Sequence, residues 1–479
     1  MTGGINIYVV EPFLTNVLKG GFCIGCGACA SIPGSPLRMD LNEFGIYQPV
    51  IGLPYADTLY GFDIGEICPF HQDTYDEDQI GQQLFSHSRK YDPRVGFYEE
   101  ILAGYAAQGD FRSQGASGGI TTWLLTRLLQ EGLVDGALHV APIPGVTSGP
   151  LFQYTISRNA GEVAQAAGSH YYSVQFSQVI SEVRNNPGRY AFIGVPCFVK
   201  AIRLLARNDP LVRSSIKYCL ATFCGHLKTA AYAEALAWQM GVSPKQLRHF
   251  DFRLKIQGRP ASRYAMRAFG ICAGRERVVE VPASDLFGSD WGEGLFKPKG
   301  CDFCDDIVGE TADVSFGDAW LPPYTKDSRG TNLIIVRNRK LHDVIRGGIA
   351  NGELVVDVIG PDKVCESQAG NYRHRREGLG YRLWKFDRCG MWHPRKRQPA
   401  CRESLPFHRC EIYDLRSSIA EESHGAFLRA KLMGDLALFI REMQPLLKKY
   451  HRANGTYGRY LARSAIRRFK QILRISQLR

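Results

Sequence analysis

A chain of 479 residues with 44% hydrophobic content exceeds what a single core usually fills, so two or three domains are expected and a fibrous or disordered chain is excluded. The net charge of +12 sits mostly at the end of the chain: residues 426–479 hold thirteen Lys and Arg against two acidic residues, while residues 1–370 are slightly acidic, which argues against a basic nucleic-acid-binding body. No run of eighteen apolar residues occurs, and the first residues show neither a basic leader nor a small-residue cleavage site, so the sequence reads as cytosolic.

Fourteen cysteines in a reducing compartment do not suggest a disulfide framework, and their two-residue spacings point to metal or redox chemistry. Residues 21–29 read GFCIGCGAC, a C-x2-C-x2-C triplet whose glycines let the loop fold back and aim backbone amides at one inorganic core. Cys68, followed by Pro69, supplies a fourth thiol 39 residues later. The pattern resembles a bacterial-type ferredoxin loop, so Cys23, Cys26, Cys29 and Cys68 are read as one [4Fe-4S] site, with zinc as the alternative occupant. Residues 72–100 are polar and turn-rich and read as a linker, placing a boundary near residue 90.

Residues 112–140 predict a loop-helix-strand unit in which Gly115, Ala116, Ser117, Gly118 and Gly119 precede an apolar-periodic helix. A small-residue loop at a helix N-terminus suits a phosphate group, and a plain tight turn is the other reading. Further on, AFIGVPC and CLATFC each end an apolar run and open a helix-like segment, putting Cys197 and Cys224 at the carboxyl ends of strands. Strand ends of this kind form the ligand crevice of open α/β sheets. Cys301 and Cys304 in CDFC, ahead of the strand DVSFGD, complete a second soft-ligand tetrad for one iron–sulfur cluster. In DFRLK, Arg253 and Lys255 share one strand face that either meets an acidic ligand or faces solvent. LIIVR after Asn332 predicts a core strand. Cys219, Cys272, Cys365, Cys389, Cys401 and Cys410 lack ligand spacing and read as incidental thiols.

Beyond residue 370, NYRHRREGLGYRLWKFDRCGMWHPRKRQP mixes arginines with aromatics and reads as an irregular wrap over the body, with no nucleic acid expected as a partner. Helices are predicted over 426–449 and 457–478. In the second, Arg459, Arg463, Arg467, Lys470 and Arg474 form a basic stripe opposite Tyr457, Leu461, Phe469, Ile472 and Leu473, fitting an anionic membrane surface, a partner groove or the protein's own body.

The elements CIGCGAC, SGGITTWLL, GVPC, FCGH and CDFC with DVSFGD resemble the coenzyme F420 hydrogenase/dehydrogenase beta-subunit family over about residues 20–340. The resemblance implies an iron–sulfur flavoprotein oxidoreductase with two [4Fe-4S] clusters and FAD, contacted by Ser117, Gly118, Gly119 and Thr121. It also implies cluster ligation by Cys197, Cys224, Cys301 and Cys304. An electron-transfer subunit of a larger complex, linked in some bacterial relatives to polysaccharide genes, and a zinc-stabilised scaffold are the alternatives. The implied partner is a ferredoxin-like donor or a redox subunit. The expected architecture is an α/β (α+β) body with a mixed sheet over 91–370, preceded by a ferredoxin-like module over 1–90 and followed by a basic helical extension over 371–479. The expected location is the cytoplasm, peripheral to the inner face of the membrane if the tail anchors there.

Overall fold

The computed structural model describes residues 13–51, 64–88, 90–272, 274–403 and 405–476. Its body is an eight-stranded sheet of β1 (Glu100–Ala106), β2 (Gly136–Pro142), β3 (Phe152–Ser157), β4 (Tyr190–Gly194), β5 (Ile216–Thr222), β6 (Val314–Asp318), β7 (Asn332–Val336) and β8 (Leu354–Val358). Their spatial order is β8-β1-β7-β6-β5-β4-β2-β3. The neighbours β2, β4, β5 and β6 run parallel, and every other pairing is antiparallel, which makes the sheet mixed as expected. The strand expected from LIIVR is β7, all five of whose residues are buried.

Successive side chains of a strand point to opposite faces, and the central strands are apolar on both. In β4 Phe192 belongs to one core and Ala191 to the other; in β5 Cys219 and Ala221 face the first and Leu220 the second. One face is covered by α1 (Ile120–Gln130), which buries Ile120, Trp123, Leu124 and Leu128. The other is covered by α2 (Pro196–Asn208), whose Pro196 sits in the first turn, where a missing N–H costs nothing. Beside the body, an antiparallel sheet of Leu247–Lys255, Tyr264–Cys272 and Arg275–Pro282 packs on the helix Ala230–Gln239.

The N-terminal segment shares a core with the body. Phe13, Val17, Phe22, Ile24, Ile64 and Phe70 lie in one apolar cluster with Phe192, Phe198 and Phe303. Its regular elements include a 3-10 turn at Cys29–Ser31 and the hairpin Leu37–Leu41/Tyr47–Ile51. The stretch read as a linker is folded: Glu77–Phe85 is a helix, and residues 90–92 and 96–98 pair as short strands.

After α3 (Ala369–Arg375) and a helix over Glu377–Arg388 come α4 (Phe407–Met433), α5 (Leu436–Ala453) and α6 (Tyr457–Ser476). The helix expected over 426–449 is therefore the junction of two, broken at Gly434, whose φ of 65° is left-handed and closes α4. The stretch read as irregular is largely helical, and it buries Arg375 and Arg382 while Leu379 and Leu383 enter the main core. Ile412, Ile419, Phe427, Phe439, Met443 and Leu447 pack on the smaller sheet and its helix. The basic stripe of α6 meets acidic residues of its own body: Lys470 pairs with Asp285 at 2.7 Å and Arg463 with Asp290 at 3.6 Å. Tyr460 is buried in the core shared with α5, and the side chains of Phe469, Ile472, Leu473 and Arg474 lie outside the described residues. The packing supports the protein's own body as the partner of this helix and gives no support to a membrane anchor. No described helix is long and apolar enough to cross a membrane.

Candidate metal and cofactor sites

Parallel β4 and β5 end side by side, and each delivers one thiol at its carboxyl end. Cys197 is the second residue of α2, and Cys224 follows β5 by two residues. The segment after Cys224 is not yet helical; residues 223–229 are irregular and the helix starts at Ala230, with Thr229 extended as its N-cap. Cys301 lies in the short 3-10 turn Lys299–Phe303, which Cys304 ends, just ahead of β6. All four sulfur-bearing residues line one small cavity with Ile24, Phe70, Pro196, Leu227, Asp306 and Arg375. The Leu227 amide donates to the Cys301 sulfur at 3.2 Å. Burial pushes the thiol of Cys301 up to about 11 and that of Cys224 up to about 12, and drives Cys197 well above its ordinary value, with the other three thiolates adding to the effect there. As free thiols, Cys197, Cys224 and Cys301 stay protonated; an electrophilic metal would draw their thiolates out.

Cys23, Cys26, Cys29 and Cys68 also gather. Besides burial, which raises all four, the charges of Cys23 and Cys68 act on both Cys26 and Cys29. The loop turns at Gly25 and Gly27, with φ of 70° and 89°, and a Cβ on Gly27 would stand 2.8 Å from the Gln175 side chain. The Gly25 amide donates to the Cys23 sulfur at 3.4 Å. Hydrogen bonds of this kind stabilise thiolate and tune a bound cluster. The two tetrads are neighbours: Cys26 acts on Cys197, and both act on the buried Tyr154. Among the described residues, no group of three or more His, Cys, Asp or Glu side chains is gathered as a single metal ion requires. A polynuclear cluster, in which each iron takes its own cysteine, does not ask for that gathering.

The Gly/Ser loop lies where expected, before α1, but its polar groups are largely engaged by the fold. The Ser117 hydroxyl donates to the Thr331 carbonyl at 3.0 Å, Ala106 donates its amide to Gly118 O at 2.9 Å, and the Ile120 amide donates to Asn332 Oδ1 at 3.1 Å. A Cβ on Gly118 would meet Gly104 O at 2.6 Å and Asn332 at 2.8 Å, so close packing against β1 and β7 already accounts for glycine there. Gly119 is left-handed at φ 81° and caps the helix, and Thr121 follows in its first turn, half-buried. Lys255 donates to the Ser117 carbonyl at 2.9 Å, and Arg253 pairs with Asp318 at 2.6 Å. The face read as ligand-directed or solvated thus ties the smaller sheet to the loop and to β6.

Three groups near the body tetrad were not singled out from the sequence. His226, from FCGH, is buried with its Nε2 unpartnered and its ring 4.5 Å from that of Trp291; burial, then Lys228, drives its pKa well below the ordinary value. Arg375 reaches the cavity from α3. Arg397 is buried against Glu310 at 2.8 Å and Asp305 at 3.4 Å, holding down the loop behind Cys304. A lone arginine in an arginine-rich stretch carries no spacing signal; only the FCGH motif offered a handle, for His226.

Residues 101–181 match the family model for the N-terminal part of the coenzyme F420 hydrogenase/dehydrogenase beta subunit, and residues 188–361 match the model for its C terminus. The chain belongs to the coenzyme F420 hydrogenase/dehydrogenase beta-subunit family. It is 24% identical to an uncharacterized protein of Methanocaldococcus jannaschii over 70% of this chain and 89% of that one. It is 22% identical to the coenzyme F420 hydrogenase subunit beta of Methanothermobacter thermautotrophicus, over 50% of this chain and 81% of the relative. Similarity to the coenzyme F420-dependent sulfite reductase of M. jannaschii is 22%, covering 69% of this chain but 46% of that enzyme. Among solved structures, a chain of the F420-reducing [NiFe] hydrogenase complex from Methanosarcina barkeri superposes with a TM-score of 0.46 at 17% identity, over 62% of this chain and 96% of that one.

Proposed function

We propose that this chain is an iron–sulfur flavoprotein oxidoreductase passing electrons between a one-electron, ferredoxin-like donor and a two-electron acceptor. The supporting observation is the convergence of Cys197, Cys224, Cys301 and Cys304 on one buried cavity at the ends of two parallel strands. These four would hold one [4Fe-4S] cluster, and Cys23, Cys26, Cys29 and Cys68 a second. FAD would be met at Ser117, Gly118, Gly119 and Thr121, and when bound it supplies the exchange between paired and single electrons. The chain's own contribution is to enclose both tetrads in its core and to donate the Gly25 and Leu227 amides to the sulfurs of Cys23 and Cys301. A redox partner subunit in place of ferredoxin is a second reading, favoured by the similarity to a hydrogenase subunit.

Anaerobic purification with iron counting and a visible spectrum tests the proposal. Flavin bands over a broad iron–sulfur shoulder are expected, and a colourless protein defeats the reading. Cys301→Ala should remove about half of the iron and leave flavin in place, since Cys301 lines only the body cavity. Unchanged iron in that variant means the body tetrad is not a cluster site.

A further inference from the structure

Arg375 is a buried cation with no carboxylate to answer it. It ends α3, is 3% exposed, and lines the same cavity as the four body cysteines. Its guanidinium donates from Nε to Gly225 O at 3.2 Å and from one terminal nitrogen to Cys304 O at 3.3 Å. The other terminal nitrogen donates to the carbonyls of Cys224 and Gly225 at 3.1 and 2.6 Å. Among the described residues no carboxylate pairs with Arg375, whereas Lys297 and Arg382 share Asp302 and Arg397 has Glu310 and Asp305. A buried charge persists only when an opposite charge or a full set of dipoles compensates it; the carbonyls of Cys224, Gly225 and Cys304 supply dipoles, and the opposite charges that would act most strongly on Arg375 are thiolates at Cys304, Cys224, Cys301 and Cys197. Neutral thiols supply no such charge. Metal ligation does, because bound cysteine is deprotonated.

We infer that Arg375 is the counter-cation of the body cluster site: it pins the loops of Cys224 and Cys304 by their carbonyls and sets the reduction potential of the cluster held there. The inference rests on the cluster reading above. One-electron reduction adds a negative charge to the tetrad, and a fixed cation in a buried cavity favours that state more than water would. Its role is one of positioning and electrostatics, and no step of the reaction passes through it.

The test is an anaerobic redox titration followed by electron paramagnetic resonance on the full-length, cluster-loaded protein, on Arg375→Gln and on Arg375→Lys. In the Gln variant the ratio of reduced to oxidised body cluster at a fixed potential should fall tenfold or more, a shift of about 59 mV or greater for a one-electron couple. The N-terminal cluster should not move, and the Lys variant, which keeps the charge, should stay nearer the parent. Thermal melts of loaded and chelator-stripped protein add a sign: Arg375→Gln should lower the melting temperature of the loaded form and raise that of the stripped form, where the cation has lost its counter-charge. An unchanged body potential in an iron-replete Gln variant overturns the inference. So does destabilisation of both forms, which would reduce Arg375 to a staple between carbonyls. If the Gln variant takes up no iron, the stripped melt decides alone: a gain supports the inference and a loss overturns it. A parent protein without iron defeats the cluster reading itself, and iron counting separates that result from the others.

Discussion

Arg184 ties the N-terminal cysteine loop to the body through one guanidinium, donating to the Ser31 carbonyl at 2.7 Å and pairing with Asp209. Asp209 also accepts the amides of Leu211 and Val212 at 3.0 and 3.1 Å. Burial raises the Asp209 carboxyl, but the Arg184 hydrogen bond and these amides outweigh it and hold the group below its ordinary value of 3.8. The native state therefore releases the proton at lower pH than the unfolded chain, so this stabilisation is fully present above the ordinary carboxylate range and disappears as the pH falls through the native value. Asp209→Asn should cost about 1–3 kcal/mol at pH 7 in denaturant unfolding. The difference from the parent should shrink as the pH is lowered below 4, and a pH-independent difference would assign the loss to packing. At this scale the sequence was informative where chemistry has a spacing: Cys301 and Cys304 announce themselves, and Cys197 and Cys224 follow from the apolar runs that precede them. Arg184, Arg375 and Arg397 were silent, because an arginine's partner is set by distant segments.

Among the elements, the helix Glu77–Phe85 shows what a polar composition conceals. Its N-terminus is a capping box in which Asp76 accepts the Gln79 amide at 2.9 Å and the Gln79 side chain accepts the Asp76 amide at 2.9 Å. The signal, Asp-x-x-Gln ahead of Ile80, was present in a stretch read as linker on its turn residues alone. The helix also contributes to the site's surroundings: buried Glu77 pairs with Lys200 of α2 at 3.2 Å and with Arg397 at 3.6 Å. Asp76→Ala should cost about 1 kcal/mol in thermal unfolding, the usual value of a lost cap, with cluster content unchanged. Strands are more legible in this sequence than helical boundaries, because a strand buried on both faces leaves an unbroken apolar run such as LIIV. Near Gly434 the periodicity of α4 and α5 runs together in sequence, and the left-handed glycine with Asp435, which accepts the Ala437 amide at 2.8 Å, separates them.

For the whole molecule, the basic end of the chain is folded onto its own acidic surface. Tyr460 stacks on His451 with centroids 4.4 Å apart, and His451 in turn meets buried Glu293 at 3.0 Å. Removing residues 457–479 should lower the melting temperature and expose the apolar contacts of α5, read as increased dye binding or precipitation. The full chain should show no salt-sensitive cosedimentation with anionic vesicles; recovery in the vesicle pellet would restore the anchor reading. The sequence pattern of α6 carried both readings, since a helix with a basic stripe looks alike whether its counter-charges are lipid or protein.

Phe22, one residue before Cys23, packs edge-on against Phe303 at 4.9 Å and against Trp392 at 5.2 Å. Its last aromatic neighbour lies 370 residues later in the chain. At synthesis rates of roughly 5–20 residues per second, that neighbour follows Phe22 out of the ribosome by roughly 20–70 seconds. Throughout that interval the cysteine loop is translated but unsealed, with its thiols open to water and to oxidants. Time on the ribosome thus becomes a property of the loop: the same long-range packing that later shuts out solvent leaves an early window in which its thiols stand open.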